Sequence, residues 1–303
     1  MTNRHSALVV HGGAWSIPDD EVDDHLQGLS TALQSGWSLL VQGASSLDVV
    51  EHVVSCLEDN PTFDAGKGSV LNTDGSVEMD ASIMEGRTLR AGAVAALRNF
   101  ANPVQIARRV LCETEHILLA GEGCAVFAEM QGFHPVPIEN LLTQRELQRL
   151  AALKQDGQFR TPHAFGKKRG TVGAVALDQP GDIAAATSTG GTPKKIPGRV
   201  GDSALIGSGT WAENRVGGVS CTGWGESIMQ VMLAREVAEG LRSTNSPQVA
   251  AGAAIKKLQD KVRGLGGVIC LSAAGDIGVA FNTPRMARGF MRTDMDAPKV
   301  EIQ

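Results

Sequence analysis

Short apolar runs occur in pairs along the 303-residue chain, and a tight turn joins the members of each pair. Residues 171–177 and 183–187 flank Gln179-Pro180-Gly181-Asp182, and residues 267–272 pair with 277–281. Such runs with turn residues between them are typical of β-hairpins. Helical spacing of apolar residues lies between the pairs in both halves of the chain. This order favours an α+β fold, with helices packed on antiparallel sheets, over a parallel βαβ sheet.

The remaining elements follow from apolar periodicity and turn residues. We predict further strands at 7–10, 91–97, 204–206 and 216–221, and a hairpin over 68–84. Predicted helices cover 21–40, a segment through 49–57 capped by Ser46, most of 103–153, and then 226–241 and 247–262. Residues 154–170 are polar and aperiodic, which indicates an exposed linker. Strands on its two sides are free to share one sheet.

Composition excludes several classes of protein. The net charge of −5 argues against a nucleic-acid partner, which usually selects a basic surface. No apolar run approaches membrane-spanning length, so no membrane partner is expected and a cytoplasmic location is the default. The cysteines are scattered and odd in number, which indicates free thiols and not a disulfide framework or zinc site. They are Cys56, Cys112, Cys124, Cys221 and Cys270.

The common catalytic signatures are missing from the sequence. It contains no H-E-x-x-H, no P-loop and no G-x-S-x-G. HGGA at 11–14 is like the oxyanion loop of α/β-hydrolases, but the sequence has no nucleophile elbow to go with it. His11 is the only histidine that we place near a site. GSGTWA at 207–212 is a weak dinucleotide pattern because no helical pattern follows it directly.

A different chemistry is indicated by KKRGTVGAVALD at 167–178, in which a glycine and a threonine precede an apolar strand. A threonine hydroxyl is a poor nucleophile and needs an adjacent base. If the chain is cut before Thr171, the new α-amine, with a reference pKa near 8, lies within reach of its own hydroxyl. The same hydroxyl is suited to attack the Gly170 carbonyl, since glycine tolerates the strained backbone that this attack requires.

Several segments in a fixed order resemble one family. They are HGGAW, FDAGKGSVLNTDGSVEMDASIMEG, GTVGAVALD, AAATSTGG, IPGRVGDS and SCTGWGE. Together they resemble the isoaspartyl peptidases, also called plant-type L-asparaginases, which are N-terminal-nucleophile hydrolases. The resemblance extends from about residue 9 to beyond 282 and is weakest over 154–170.

The resemblance implies a fold and an assembly. The implied fold is a four-layer αββα sandwich of antiparallel sheets flanked by helices. A single domain of residues 1–303 is expected to be processed into an α subunit of residues 1–170 and a β subunit of residues 171–303. The subunits are expected to form an (αβ)₂ assembly.

The resemblance also assigns the catalytic groups. Self-cleavage occurs between Gly170 and Thr171, and Thr171 then acts as nucleophile and, through its amine, as base. Thr189 bonds to the Thr171 hydroxyl and tunes it. Thr222 and Gly223 form the oxyanion hole with a hydroxyl and a backbone N–H.

The resemblance also implies residues that bind the free α-amino and α-carboxyl groups of the substrate. Arg199 clamps the α-carboxylate, for which a guanidinium fork is suited. Asp202 holds the α-ammonium, and the Gly225 carbonyl accepts from it. The implied substrates are small molecules, namely β-aspartyl (isoaspartyl) dipeptides and L-asparagine, and L-aspartate is released through a covalent acyl-enzyme. The full substrate set is Arg199, Val200, Gly201, Asp202, Thr222, Gly223, Trp224 and Gly225.

No organic cofactor is expected, but a structural sodium ion is implied. LEDNPTFDAGKG at 57–68 resembles the family loop whose backbone carbonyls bind sodium, and carbonyl oxygens suit a hard cation. From the residues alone this segment is only a glycine-rich turn. The implied ligands are the carbonyls of Leu57, Glu58, Asn60, Phe63, Ala65 and Lys67.

Three positions depart from the family pattern. Relatives often carry Asn where this chain has Asp64, and a small or polar residue where it has Trp224. A second carboxylate near the site alters local pKa values. Arg169 precedes Gly170 where Asp, Asn or His is common, so self-cleavage is the first property to test.

Other functions remain open at this stage. A glycosylasparaginase shares the fold and the nucleophile but releases a sugar amine. An endopeptidase relative carries long insertions for which 303 residues leave no room. A binding protein that keeps Arg199 and Asp202 without cleaving itself is a candidate from another class, as is a nucleotide-binding oxidoreductase resting on GSGTWA.

Overall fold

A computed structural model describes residues 6–155, 170–244 and 246–303 of the chain. Its strands, in chain order, are β1 (Ala7–Trp15), β2 (Met79–Glu85), β3 (Ala91–Leu97), β4 (Leu118–Ala120), β5 (Val172–Leu177), β6 (Ile183–Thr189), β7 (Thr210–Glu213), β8 (Gly217–Gly223), β9 (Gly266–Ser272), β10 (Ile277–Phe281), β11 (Arg285–Arg292) and β12 (Lys299–Glu301). Its α-helices are α1 (Val22–Val41), α2 (Ser46–Asp59), α3 (Pro103–Glu113), α4 (Gly121–Met130), α5 (Gln144–Gln155), α6 (Gly225–Val231), α7 (Leu233–Thr244) and α8 (Pro247–Val262).

The strands of the described residues form two sheets. The large one has the order β12-β11-β1-β5-β6-β2-β3-β4, and the small one has the order β10-β9-β8-β7. Pairing is antiparallel between neighbours except for β3 and β4, which are parallel. The expectation of a mixed α+β fold is confirmed. Strands from both sides of the 154–170 stretch do share the large sheet.

Both faces of the large sheet are buried, and this explains why its strands are continuous apolar runs. Successive residues of a strand point to opposite faces. In β1, Leu8 and Val10 pack in a cluster with α1, α2 and α3, whereas Ala7 and Val9 pack toward the small sheet. A third cluster lies between the small sheet and the helices α7 and α8.

Several boundaries differ from the sequence expectations. The first strand, predicted over 7–10, continues to Trp15, with an irregularity between His11 and Ala14. The cap of α2 is Ser45, whose hydroxyl accepts from the Asp48 N–H, and not Ser46. The hairpin predicted over 68–84 contains only one full strand, because its first half makes a single bridge from Leu71 to Val77.

The second half of the chain shows larger differences. The strand predicted at 204–206 is wrong, since Asp202–Ala204 is a 3₁₀ turn and the strand begins at Thr210. The helix predicted over 226–241 is two helices, because Met232 adopts a left-handed conformation with φ 51°. After the hairpin of β9 and β10 the chain forms a further strand that was not predicted, β11, which pairs with β1.

Candidate active site

The antiparallel order of the large sheet brings three segments to one edge. Strand β5 lies between β1 and β6, so its beginning lies beside their ends. Gly173 is paired with His11 of β1, and Val172 is paired with Ser188 of β6. Thr171, immediately before β5, is therefore placed beside HGGAW and the last residues of β6.

The hydroxyls of Thr171 and Thr189 meet at this edge. Thr171 Oγ1 donates a hydrogen bond to Thr189 Oγ1 at 3.2 Å, and the Gly191 N–H donates to the same Thr189 oxygen at 2.9 Å. Both threonines are buried, with 5% and 3% of their surface exposed. The hydroxyl of Thr171 is thus held in one orientation and largely shielded from bulk water.

The peptide before Thr171 packs against the HGGAW segment. A Cβ on Gly13 would lie 2.7 Å from Gly170 Cα, and Gly13 has φ +105°, so only glycine fits there. Thr222 Oγ1 lies 3.0 Å from the position of a Cβ on Gly170 and accepts from the Ala14 N–H at 3.3 Å. A second hydroxyl is therefore adjacent to the Gly170–Thr171 junction.

Gly223 ends β8 in a conformation that excludes a side chain. Its φ is +143°, and a Cβ would lie 2.4 Å from the Leu265 carbonyl oxygen. The next residue, Trp224, donates its backbone N–H to that same carbonyl at 2.9 Å. The Thr222–Gly223 segment is consequently fixed by β9 and lies beside the junction.

Arg199 is held by an acidic residue that the sequence did not single out. Its Nε and Nη2 each donate to one carboxylate oxygen of Glu226 at 2.9 Å. Burial opposes the charge of Glu226, but the hydrogen bonds and the positive charge of Arg199, with further hydrogen bonds, together lower the pKa of the carboxyl. Since Glu226 occupies the Nε side of the guanidinium, the edge formed by Nη1 and Nη2 is oriented toward Gly191, Gly201 and Gly225.

Asp202 faces the same space with an unsatisfied oxygen. It is 3% exposed, and its Oδ2 has no hydrogen-bond partner among the described residues. Burial raises the pKa of this carboxyl to about 7, although Arg199 opposes the shift. A Cβ on Gly225 would lie 2.7 Å from Arg199 Nη2 and 2.8 Å from Asp202 Oδ1. The space left by the missing side chain at Gly225 is thus bordered by one guanidinium and one carboxyl.

The other residues of the implied substrate set lie around this space. Gly201 is buried between Arg199 and Asp202, and Val200 is half-buried. Trp224 is also half-buried and immediately precedes α6, where its carbonyl accepts from the Ser227 N–H. The fold thus brings the predicted substrate residues together from the 199–202 loop and from the segment between β8 and α6.

The 57–68 loop has carbonyl oxygens gathered around two glycines. A Cβ on Gly68 would lie 2.6 Å from the Pro61 oxygen and 2.8 Å from the Phe63 oxygen, and one on Gly66 would lie 2.4 Å from the Glu58 oxygen. Among the described residues, no hydrogen bond is donated to the carbonyls of Phe63, Ala65 or Lys67. The carbonyls of Leu57, Glu58 and Asn60 each already accept a backbone N–H bond. Within the described part of the chain, three of the six implied carbonyls are therefore free, and carbonyl oxygens in a turn are suited to a hard cation such as sodium.

Two singled-out residues lie in buried surroundings near the site. Burial lowers the pKa of His11 to about 3, so the ring is neutral, and its Nε2 lies 2.9 Å from Ser220 Oγ. Asp64 accepts from the Val70 N–H at 2.9 Å, and burial raises the pKa of its carboxyl to about 7. A Cβ on Gly190 would lie 2.3 Å from Asp64 Oδ1, which places this carboxyl directly behind Thr189.

Sequence reasoning missed Glu226, Asp80 and Lys195. Asp80 and Glu226 stand inside quoted motifs, MDASIM and CTGWGE, but neither was assigned a role. Lys195 is 4% exposed, which nothing in the pattern TPKKIPG indicates. The basic run Lys167, Lys168 and Arg169 lies outside the described residues.

Comparison with known proteins gives the family. The family model described as asparaginase matches residues 4–300. The chain is 46% identical over 288 residues to the isoaspartyl peptidase/L-asparaginase of Xenopus laevis, covering 95% of this chain and 92% of that protein. It is 46% identical over 271 residues to the human protein of the same name, covering 89% and 87%. It is 42% identical over 310 residues to the plant-type L-asparaginase of Pyrococcus horikoshii, covering 98% and 99%.

These matches span nearly the whole chain and include the segments that place the buried Thr171 beside Thr189. The protein is an enzyme of the amide-hydrolysing type that its relatives represent. The chain belongs to the asparaginase family matched by that model. In the parts of the chain that the structure describes, no helix is long and apolar enough to cross a membrane.

Proposed function

We propose that this protein is a self-processing threonine amidohydrolase that hydrolyses β-aspartyl dipeptides and L-asparagine and releases L-aspartate. One observation carries the proposal. The buried Thr171 hydroxyl, bonded to Thr189, lies at the edge of a site whose other groups are an oriented guanidinium and an unpaired buried carboxyl. The names of the relatives, isoaspartyl peptidase and L-asparaginase, describe the same chemistry.

The first reaction is self-cleavage. The Thr171 oxygen attacks the Gly170 carbonyl carbon, the C–N bond breaks, and the acyl group moves from nitrogen to oxygen as an ester. Water then hydrolyses the ester, which leaves a carboxylate on Gly170 and an α-amine on Thr171. The close contact of Gly13 with Gly170 holds this peptide in place, and Thr222 Oγ1 is positioned to donate to the developing oxyanion.

Turnover uses the new amine as base. The amine takes the proton from its own hydroxyl as the oxygen attacks the β-carbonyl of the substrate. Thr189 fixes the direction of the hydroxyl, and the Thr222 hydroxyl and Gly223 N–H stabilise the negative oxygen. The leaving amine receives the proton, and water hydrolyses the resulting ester to L-aspartate, which regenerates the free threonine.

Substrate selection follows from the charges beside Gly225. The free Nη1 and Nη2 edge of Arg199 matches a carboxylate with two parallel hydrogen bonds. The unsatisfied Oδ2 of Asp202 can accept a further hydrogen bond, and an α-ammonium supplies a donor of opposite charge. Together they select an aspartyl residue whose α-amino and α-carboxyl groups are both free, so the scissile bond must involve the β-carboxyl.

The fold accommodates the cleavage. We propose that the two sheets and their helices form the αββα sandwich of N-terminal-nucleophile hydrolases, as one domain processed into residues 1–170 and 171–303. Strand β1 of the first segment is paired on both sides with strands of the second, β5 and β11. The two subunits would therefore remain one folded unit, with further pairing to an (αβ)₂ assembly that light scattering of the mature protein tests.

We also propose a structural sodium ion in the 57–68 loop, held by the carbonyls of Leu57, Glu58, Asn60, Phe63, Ala65 and Lys67. The ion would fix the turn that carries Asp64 behind Thr189. The ion would stabilise the loop and take no part in the reaction. No organic cofactor is needed for the steps above.

Mass spectrometry and a β-Asp-Leu hydrolysis assay test the proposal together. We expect the purified protein to give two fragments, the smaller beginning at Thr171, and to release aspartate and leucine. The Thr171→Ala variant should remain one 31.8 kDa chain without activity, because both reactions use that hydroxyl. Cleavage in this variant at the normal rate, or a stable uncleaved and inactive wild type, would contradict the mechanism. A sugar-linked asparagine tested in parallel separates this activity from that of a glycosylasparaginase.

A further inference from the structure

Lys195 is a buried cation adjacent to the site but outside the machinery described so far. Its ammonium donates to the Gly190 carbonyl at 2.9 Å and to the Glu78 carbonyl at 2.5 Å. A buried ammonium is costly unless it is paired, because burial disfavours the charged form. Burial does lower the pKa of Lys195, and the negative charge nearest in effect, that of Asp80, opposes the shift. The negative charges of Asp64 and Glu78 oppose it as well, so the ammonium lies in an acidic surrounding.

Asp80 is fully buried in β2 at an irregularity in its pairing with β3. Its Oδ1 accepts from the Ala96 N–H, and its Oδ2 accepts from the Gly201 N–H, each at 2.9 Å. In the sheet it lies opposite Thr189 of β6. From the strand paired with that of Thr189, this one carboxylate thus links β3 to the loop that carries Arg199 and Asp202.

The hydrogen bond to Gly201 has a specific geometric consequence. Gly201 is the residue between Val200 and Asp202, and a Cβ on it would lie 2.8 Å from Arg199 Nη1. A displacement of this backbone would move the guanidinium and the carboxyl of Asp202 together. Lys195 fixes the other side of the site, since the Gly190 carbonyl that it binds directly follows Thr189.

We propose that Asp80 is the positioning residue that sets the distance between the substrate clamp and the nucleophile, while the Lys195 ammonium fixes the opposite side of the site through Gly190. The proposal rests on the proposed function, because the substrate clamp whose position it concerns is part of that function. Asp80 does not touch substrate and acts through Gly201. Lys195 acts through Gly190.

The test compares mature wild type with Asp80→Asn. Asparagine has one acceptor oxygen in place of two, so it cannot hold both N–H groups and it removes the charge. We expect KM for β-Asp-Leu to rise about 10- to 100-fold, the effect of losing one charge-assisted hydrogen bond, while kcat and the extent of self-cleavage change less than about threefold. Asp178→Asn is the matched control, because Asp178 is also a buried aspartate that accepts backbone N–H bonds, from Ser46 and Asp182, away from the clamp.

A second substrate distinguishes positioning from general loss of structure. Wild type should strongly prefer β-Asp-Leu over its analogue in which the aspartyl α-carboxylate is a carboxamide, and Asp80→Asn should lose most of that preference. A structural defect would lower both activities equally. An unchanged KM and preference in Asp80→Asn would overturn the inference.

Two further arms complete the test. If Asp80→Asn does not fold, Lys195→Gln instead removes the ammonium that binds the Gly190 carbonyl, and an unchanged KM and preference in this variant would equally overturn the inference. If wild type itself matures but hydrolyses neither substrate, the proposed function fails. If wild type is active and the variants have the same KM and substrate preference as wild type, the inference fails but the proposed function stands.

Discussion

Replacing Gly225 with alanine should damage substrate binding without damaging the fold. The added methyl would lie 2.7 Å from Arg199 Nη2 and 2.8 Å from Asp202 Oδ1, whereas ordinary contacts begin at 3.4 Å. The two groups must therefore retreat by about 0.6–0.7 Å. Arg199 has little freedom to do so, because Glu226 holds its Nε and Nη2.

The magnitude follows from this displacement. A misplacement of about 1 Å in a positioned group costs about 10²-fold in rate. We expect kcat/KM for β-Asp-Leu to fall about 10- to 100-fold in Gly225→Ala, mainly through KM. Overpacking of this kind costs about 1–3 kcal/mol, so the variant should still fold and its melting temperature should fall by only about 2–9 °C.

Gly252→Ala is the matched control. Gly252 lies inside α8, and a Cβ there would meet no atom within 4 Å. Alanine in a helix interior is favoured by about 1 kcal/mol over glycine, so this variant should melt slightly higher with unchanged kinetics. The measurements are steady-state kinetics, thermal unfolding and a denaturing gel for self-cleavage. Unchanged kcat/KM in Gly225→Ala would refute the placement of the substrate head group.

Three further outcomes are expected. Arg199→Ala should still cleave itself but lose about 30-fold or more in kcat/KM for β-Asp-Leu, because the buried α-carboxylate of the substrate is left without its guanidinium partner. Equal kcat/KM in the two proteins would rule out the clamp. Asp202 must be ionised to bind the ammonium, and its pKa of about 7 in the free site means that lowering the pH from 8 to 6 should raise KM about tenfold. A KM that is flat over this range would count against that role, and Asp202→Asn should remove the pH dependence. Replacing about 100 mM sodium with tetramethylammonium should lower the melting temperature by about 5 °C if the site binds sodium with a Kd of about 1 mM, a contribution of about 2.7 kcal/mol. An identical melting curve in the two salts would argue against the ion.

The sheet strands were predictable because their chemistry is local. The strand at Ala91–Leu97 and the helix at Pro247–Val262 were predicted with the boundaries observed. Continuous apolar runs between turn residues are sufficient for such elements. The missed strand β11 has the sequence RMARGFMR, in which three arginines and a glycine interrupt the apolar residues such as Met286 and Met291. Its pairing with β1, at the opposite end of the chain, supplies what its own pattern lacks.

The break between two helices at Met232 is a second feature that the local sequence pattern does not predict. The apolar spacing of 226–241 fits one helix, and no glycine or proline marks an interruption. In the structure the chain passes through a left-handed residue at Met232, while the Arg235 N–H bonds to the Gly207 carbonyl and the Ala234 N–H bonds to the Ser208 carbonyl. The second helix is thus anchored to a loop more than twenty residues earlier, which overrides the local preference for one continuous helix.

In the candidate site, too, some residues could be predicted from local sequence patterns and others could not. The residues that would contact substrate lie in recognisable glycine- and threonine-rich segments, because close backbone approach and hydroxyl chemistry leave a visible composition. The residues that hold them in place leave none. Asp80 bonds to a residue 121 positions later in the sequence, and Glu226 bonds to one 27 positions earlier. A single acidic residue in a strand or at a helix start is compatible with a solvated surface, so its partner must be seen before its role can be inferred. The consequence is practical: variants of Asp80 and Glu226 should change KM as strongly as variants of some residues that touch the substrate, although no motif would select them.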